Sequence, residues 1–521
     1  MKTKKYILRI VMMALLGGTF ASCESWFDIR PKSETVFEDF WKDENDVLSM
    51  VGSCYRGMNE TGFIERAIVW GELRSDNVKA GTGTSNPIRD ILNINLNSSN
   101  SYTYWGEYYS VINFCNTVIK FAPEVQAKDP NFKRENLNVY IAEAKGVRAL
   151  CYFMLLRTFR DIPLITEPYA DDSLPFEVAQ ENPDNLLNFL IDDLKSVENQ
   201  AADEKTWSNL LYTKGRITKN AIRALIADMY LWKNDYNNCI IYCDKVLANL
   251  GQLQLESSRV YNESVYYLGN SKESIFELQF SLKNYPNYAM NEMYGMFGGR
   301  AGQDMHKLSP YNFESMSPSL FEPTDLRGKD AFFSTAGSSF IAKYMALRIE
   351  TSSSTVREGD YVFNAEAPNW IFYRLADIYL MKAEAMVEAQ ENPNAEAVLD
   401  LVSKTFDRAN PDLGSGSLSI SIYNTQNALR NLVFDERQRE FLFEGKRYFD
   451  LLRRIRREDG MKPANVVNAY LLKKYSKLDN TTTKSKLSEL DALYMPINVD
   501  ELRANTALKQ NPFYVTSSNI E

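Results

Sequence analysis

Between Phe434 and Glu458 the chain reads FDERQREFLFEGKRYFDLLRRIRRE, and Arg437, Glu440, Glu444, Arg447, Asp450 and Arg454 recur there at spacings of three and four. On a helix such spacings set acid beside base. Two chemistries could use the pattern: paired carboxylates can act as general acid and base, and carboxylates clamped by guanidinium groups can fix helix packing. The apolar positions favour the second. Leu442, Gly445, Phe449 and Leu452 form one stripe, and Phe441, Tyr448, Leu451 and Ile455 form another, so the spacing predicts one packed helix over the whole segment. Glu444 falls on an apolar stripe, where a carboxylate stays charged only with a fixed cationic or hydrogen-bonding partner.

A second set of residues could hold a ligand without changing it. Tyr102 and Tyr104 close one polar stretch, and Tyr285, Tyr288, Tyr294, Phe297 and Tyr311 populate another. Sugars present apolar C–H faces rimmed by hydroxyls, so a receptor needs flat aromatic platforms flanked by directional polar groups. Arg74, Asp76, Asn77, Asn284, Asn287 and Arg300 supply those groups in the sequence. The candidate ligand-binding set is Arg74, Asn77, Tyr102, Tyr104, Tyr285, Tyr288, Tyr294 and Tyr311, with packing of loop on body as the competing role for each aromatic. Trp70, Trp232 and Trp370 lie on helical or apolar stretches and are expected in the core.

Catalytic motifs are missing. There is no G-x-S-x-G, H-E-x-x-H or Walker loop, and His306, expected to be an ordinary loop residue, is the single histidine. One histidine cannot complete the usual zinc sets, and no metal, cofactor or catalytic residue is expected. Asp325 and Arg327 are expected to form a structural pair. Cys115, Cys151, Cys239 and Cys243 sit on apolar helical faces, and with Cys54 they make an odd number of cysteines after Cys23. They read as small core residues, not a disulfide frame.

The elements that position these residues are mainly helical. Trp105, Tyr108, Ile112, Cys115 and Ile119 recur at three and four, as do Val147, Leu150, Cys151, Met154 and Leu155. The stretch RALIADMYLWKNDYNNCIIYCDKVL has the layout of a tetratricopeptide helix hairpin with its turn at Asn234-Asp235, and a weaker copy runs from Arg374 through Asn394 to Val402. Neither helix of such a pair buries its face alone, so the pairs must stack. Lys79 to Tyr104 and Asn284 to Lys343 break the rhythm as long loop insertions, and Leu413 to Thr425 reads as a polar surface excursion. The expected fold class is mainly α, a tetratricopeptide-like helix-hairpin superhelix with long irregular insertions and few short strands.

The front end has a different composition. Lys2, Lys4, Lys5 and Arg9 precede an apolar run from Ile10 to Phe20 that is too short to span a bilayer. Phe20-Ala21-Ser22-Cys23 resembles a lipobox, with Cys23 the acylated first residue of the mature chain. Removing residues 1–22 takes away four positive charges and moves the formal charge from −9 to −13. So acidic a body is a poor partner for nucleic acid. Residues 23–46 are expected to form an acidic stalk, 47–265 a helical amino-terminal region and 266–521 a carboxy-terminal region carrying the ligand loops.

RxxEFxFEGKRYFDLLR, followed by YMPINVDELRANTALKQNPFY at Tyr494–Tyr514, resembles the carboxy-terminal signature of the SusD/RagB family. EAKGVRALCYFMLLRTFRDIPLITEP at Glu143–Pro168, NWIFYRLADIYLMKAEA at Asn369–Ala385, SPSLFEPTDLR at Ser317–Arg327, WGELRSDN at Trp70–Asn77 and WGEYYSVINFCNTVI at Trp105–Ile119 agree with it in order. The resemblance implies an outer-membrane lipoprotein of Bacteroidetes, facing the cell exterior, that binds a nutrient oligosaccharide and delivers it to a SusC-like TonB-dependent transporter without bond chemistry. The alternatives are a RagB-like peptide binder, an envelope scaffold without a small ligand, and a secreted hydrolase.

Overall fold

The computed structural model describes residues 40–515 except 171–173, 296–305, 312–319, 336–337, 348–360, 363–367, 461 and 475–479. Cys23, Phe297 and Arg300 lie outside the described residues.

The principal helices are α1 (Glu44–Met58), α2 (Thr61–Ile68), α3 (Gly106–Lys128), α4 (Arg134–Phe159), α5 (Pro183–Val197), α6 (Lys219–Trp232), α7 (Tyr236–Leu247), α8 (Tyr288–Tyr294), α9 (Leu375–Glu388), α10 (Ala395–Ala409), α11 (Gln426–Glu440) and α12 (Arg447–Glu458). Local chemistry sets many of their starts. Asp43 caps α1 in a reciprocal box with Asp46, Asn182 caps α5 ahead of Pro183, and Thr218, Asp235, Asn394 and Thr425 cap α6, α7, α10 and α11. Each cap oxygen takes up an N–H that the first turn leaves without a partner. Glu44 to Asp46, within the expected stalk, already form the first turn of α1, and Trp41 stacks on Phe121.

The helices pair as the repeat pattern predicts. α6 packs on α7 across the turn at Asn234 and Asp235, where Asn234 takes a left-handed φ of 63°. α9 packs on α10, and α7 on α9 joins the two hairpins into one stack. On the other side α1 packs on α3, α3 on α4 and α4 on α5. A continuous apolar core runs from Trp41 to Ile497, drawing on both the amino-terminal and carboxy-terminal regions. A smaller core, with Leu380, Val402 and Phe406, lies among α9, α10 and α11. The fold is mainly α, as expected.

Strands are short and serve as clamps. β1 (Val78–Ala80) pairs antiparallel with β3 (Leu308–Pro310), and the buried β2 (Ser274–Leu278) pairs antiparallel with β4 (Trp370–Arg374), which runs directly into α9. The expected loops therefore contain structure. Besides β1, Lys79 to Tyr104 includes a helix at Asn86–Leu92, and Asn284 to Lys343 includes α8, β3 and the hairpin Phe332–Thr335 with Ser338–Ile341. Elements of three to seven residues are too brief to show a period. Leu413 to Thr425 does lie on the surface, with Leu413, Ile420 and Ile422 exposed. All five body cysteines are free and buried, and Trp70, Trp232 and Trp370 are core.

The single helix expected over Phe434–Glu458 is a correction. α11 ends at Glu440, a turn occupies Phe441 to Gly445, and α12 begins at Arg447. Phe443 and Gly445 both take left-handed φ, 64° and 68°, which no continuous helix accommodates. The turn lets two backbones touch: a Cβ on Gly71 would stand 1.8 Å from the Gly445 carbonyl oxygen.

Candidate functional site

The broken helix swings its acidic residues into the core, where they meet cations from four other segments. Arg374, at the β4–α9 junction, donates from Nη1 to Glu273 and Glu440 at 2.6 Å each and from Nη2 to Glu444 at 2.9 Å. Lys343 reaches Glu444 Oε1 at 2.7 Å, and Arg408 bridges Glu273 and Glu440. Arg327 is shared by Asp325, Glu436 and Glu440, while Arg439 holds Glu436 and Lys446 holds Asp377. Six carboxylates (Glu273, Asp325, Asp377, Glu436, Glu440, Glu444) thus face six cations (Arg327, Lys343, Arg374, Arg408, Arg439, Lys446). Asp325 and Arg327 are the structural pair that the sequence suggests, within a larger set.

Burial alone would raise the Glu440 carboxyl; Arg408, Arg374 and Arg327 outweigh it and hold the group well below the usual carboxylate range. Glu444 is held low in the same way by Arg374, Lys343 and Lys446. Burial pulls the Lys343 ammonium down to about 8, with Glu444 opposing. A second set couples α11 to α12. Arg437 grips Asp450 in a fork at 2.8 and 2.9 Å, and Arg453 joins Asp450 to Glu384. These carboxylates are enclosed by their cations. They make a rigid frame, with buried charges retained because each has a partner.

The frame also absorbs half of the nominated ligand residues. Arg74 is buried and donates to the carbonyls of Leu493 and Ala492 at 2.7 and 2.6 Å. Asn77 is buried between Glu72 and Gln438, and Asp76 forks with Arg447 at 2.8 and 3.0 Å. Glu72 accepts from Asn77 and from the backbone N–H groups of Phe443 and Gly445, and burial pushes its carboxyl up to about 7. Tyr102 is buried beside Trp70, whose indole donates to the Tyr102 carbonyl. Tyr294 is buried against Tyr344, with its hydroxyl on the Phe443 carbonyl. All four are buried: Asn77, through Glu72, and Tyr294 brace the turn at 441–445, Arg74 holds the Ala492–Leu493 backbone, and Tyr102 takes the Trp70 indole. His306 is likewise buried, with Nε2 2.9 Å from Ser309 Oγ, and is no ordinary loop residue.

Four of the nominated tyrosines reach solvent. Tyr311 is half-buried, with its hydroxyl on the Lys473 carbonyl. Tyr104 is 41% exposed beside Arg66. Tyr285 and Tyr288 are 45% and 47% exposed. The backbones of Ser281 and Tyr285 bond reciprocally at 2.9 Å, making a tight projecting hairpin that carries Leu282, Lys283 and Asn284 outward. Arg56 of α1 lies 4.4 Å from the Tyr285 ring and pairs with Glu60. Tyr285 and Tyr288 therefore stand on one edge of the body with a guanidinium, a carboxylate and the Asn284 amide nearby, while Asn287 is buried and donates to the Pro368 carbonyl. Sequence reasoning missed Glu273, Lys343, Arg374 and Arg408; the signal was an arginine ending the apolar run WIFYR, too costly to bury without acids elsewhere. Among the described residues no group of three His, Cys, Asp or Glu side chains is arranged to hold a metal ion, and no helix is long and apolar enough to cross a membrane.

A helical-hairpin body, locked by buried ion pairs and carrying aromatic residues on irregular insertions, defines the class. The family model for the SusD family matches residues 333–514. SusD-like protein P38 of Formosa agariphila is 24% identical over 89% of this chain and 94% of its own length, and a SusD-like protein of Bacteroides ovatus is 24% identical over 73% and 72%. Among solved structures, a SusD homolog from Bacteroides thetaiotaomicron superposes with a TM-score of 0.71 at 16% identity, covering 91% of this chain and 98% of that one. NanU of B. fragilis superposes with a TM-score of 0.67 at 19% identity, covering 94% and 100%. The chain is thus similar to SusD-like proteins along most of its length, and its carboxy-terminal part matches the SusD family model.

Proposed function

We propose that this protein is a nutrient-binding lipoprotein of the outer membrane, anchored through Cys23 and facing the cell exterior, that captures an oligosaccharide and passes it to a SusC-like TonB-dependent transporter. The observation that carries the reading is the family relationship, which P38 extends over 89% of the chain. Residues 1–22 are the export signal, 23–46 lead from the lipid into the body, and the regions 47–265 and 266–521 share one core. The ligand platform is the Tyr285–Tyr288 edge, with Tyr104 and Tyr311 on neighbouring surfaces. Exposed rings give C–H stacking faces, and Arg56, Glu60 and Asn284 give directional hydrogen bonds. No bond is made or broken: the receptor raises local ligand concentration at the transporter mouth. A peptide ligand is the alternative, supported by the absence of an exposed tryptophan among the described residues.

The test is the triple variant Tyr285→Ala, Tyr288→Ala, Tyr311→Ala. Oligosaccharide binding and uptake are expected to fall about ten-fold or more, since each lost aromatic contact removes about 0.5–1.5 kcal/mol, with an unchanged melting temperature. Glycan arrays and peptide libraries run side by side decide the ligand class. Full uptake by the folded triple variant would move the platform elsewhere.

A further inference from the structure

A cavity of about 150 Å³ lies where the segment after helix Asn86–Leu92 meets α12, helix Asn480–Leu487 and the carboxy-terminal tail. Its apolar lining is Ile91, Ile94, Leu471 and Leu487, with the rings of Tyr448 and Phe513. Ile91, Leu471, Leu487 and Tyr448 are buried, whereas Ile94 is half-buried and Phe513 is 37% exposed, so the space opens to solvent beside Phe513. A cavity of this size with walls of this kind takes a body as large as one benzene ring.

The charged groups decide what such a body carries. Among the described residues the charged lining is Arg74 and Lys486, with no carboxylate. The chain as a whole has a formal charge of −9, so a cavity walled by cations alone is a local reversal of sign. Low-dielectric walls with charge of one sign concentrate the opposite ion. Arg74 spends both Nη groups on the Leu493 and Ala492 carbonyls and lies 4.9 Å from the Tyr448 ring, so it lends its charge to the wall and not its donors. Lys486 is half-buried and donates to the Ile94 carbonyl at 3.0 Å. An ammonium has three donors, and that bond uses one. The hydroxyls at the wall are taken: Tyr448 is on the Leu493 carbonyl, and Tyr514 is on those of Ala492 and Tyr494. A sugar, whose hydroxyls need several partners at once, fits this wall poorly.

The backbone beside Lys486 carries an independent signal. After helix Asn86–Leu92 the Ile94 N–H bonds to the Ile91 carbonyl and the Asn95 N–H to the Asp90 carbonyl, and Ile94 takes a φ of 56°. These bonds end the helix in a Schellman motif whose left-handed position is ordinarily glycine. A β-branched residue there is strained. The strain sets an isoleucine side chain in the cavity wall and holds its carbonyl on Lys486.

We infer that this cavity is a second binding site, for a small organic anion: a monocarboxylate on an apolar body about the size of one six-membered ring. The carboxylate accepts from Lys486 Nζ, with the exposed Asn95 amide at the rim. The apolar body lies among Ile91, Ile94, Leu471 and Leu487 and against Tyr448 and Phe513. This site is independent of the oligosaccharide reading of the Tyr285 edge.

The test is calorimetric titration of the full-length protein, in detergent at neutral pH, with benzoate, its neutral analogue benzamide, and glucuronate. Benzoate is expected to bind about ten-fold or more tightly than benzamide, as a charge-assisted hydrogen bond requires. Glucuronate keeps the carboxylate but adds hydroxyls, and it should bind at least about ten-fold more weakly than benzoate. Lys486→Met keeps the apolar stem and should bring benzoate to parity with benzamide, while Lys486→Arg should keep the preference. Ile94→Gly exchanges apolar contact for relief of strain. Its melting temperature should hold, and its affinity for benzoate and benzamide alike should fall about three-fold or more. The Tyr285→Ala, Tyr288→Ala pair should leave benzoate binding unchanged. Equal binding of benzoate and benzamide, undiminished benzoate binding to Lys486→Met or Ile94→Gly, glucuronate matching benzoate, or no benzoate binding at millimolar concentration would overturn the proposal.

Discussion

Replacing Arg374 by Met tests whether the buried charges hold the fold. All five guanidinium N–H groups have acceptors: Nε on Glu444 Oε2 at 3.1 Å, Nη1 on Glu273 and Glu440 at 2.6 Å each, and Nη2 on the Glu440 carbonyl and Glu444 Oε1 at 2.9 Å each. Removing one partner of a buried ion pair costs about 3–5 kcal/mol. Three carboxylates lose a partner here, yet the penalty does not triple. Glu273 and Glu440 keep Arg408, and Glu444 keeps Lys343. A loss of about 4 kcal/mol is therefore expected. For a chain of 521 residues the unfolding entropy is about 1 kcal/mol per kelvin, so the melting temperature should fall by about 4 °C if the body unfolds as one unit. The assay is urea unfolding followed in parallel by circular dichroism and fluorescence, with Glu444→Gln completing a double-mutant cycle. The acid limb fixes the sign. Glu440 and Glu444 are depressed in the folded protein, so their contribution is complete above the unfolded carboxylate pKa of about 4.3 and is lost as pH falls below it. The gap between wild type and variant should stay constant from pH 7 to 5 and narrow below about 4. A midpoint change under about 0.5 kcal/mol, or a gap that widens in acid, would refute the reasoning.

Three further perturbations probe separate parts of the frame. Arg447→Lys keeps a charge near Asp76 but loses the fork and the stacking on Phe434 at 4.0 Å; urea midpoints should show a loss of about 1–3 kcal/mol. Gly71→Ala forces a Cβ into the Gly445 carbonyl, whereas Gly52→Ala on α1 meets nothing within 4 Å. Thermal melts should show the first lowered by at least the 1–3 kcal/mol of an overpacked core, and the second unchanged or raised by up to about 1 kcal/mol. The five body thiols are buried, and burial pushes Cys54, Cys151 and Cys239 up. Ellman's reagent should leave them untouched in the native protein and titrate all five once guanidinium unfolds it.

The helical hairpins were legible because each helix repeats its apolar face over three or more turns, and because Asn234-Asp235 is turn chemistry between two such faces. α6 and α7 run where that pattern puts them. The break at Phe441–Gly445 was not legible, since the residues on either side satisfy a helical period and only the approach of Gly71 to Gly445 shows why the chain must turn. That approach joins positions far apart in sequence, and periodicity is blind to it. The cations answering Glu440 and Glu444 were hidden for the same reason: Arg374, Arg408 and Lys343 come from a strand end, a helix and a loop.

The aromatic candidates divide by a rule that composition cannot express. Tyr102 and Tyr294 lie in stretches as polar or glycine-rich as those around Tyr285 and Tyr288, yet the first two are buried and the last two stand half in water. What separates them is the neighbouring backbone. Tyr102 and Tyr294 sit where an insertion is clamped to the body, through the Trp70 indole and the Phe443 carbonyl. Tyr285 ends a hairpin whose backbone hydrogen bonds are closed within itself, between Ser281 and Tyr285. A loop segment that satisfies its own backbone needs no support from its side chains, so its rings are left for something outside the chain. In this fold a polar atom in the frame reports packing, and recognition is to be sought where the frame has finished its own hydrogen bonding and an aromatic face or a charge is left over.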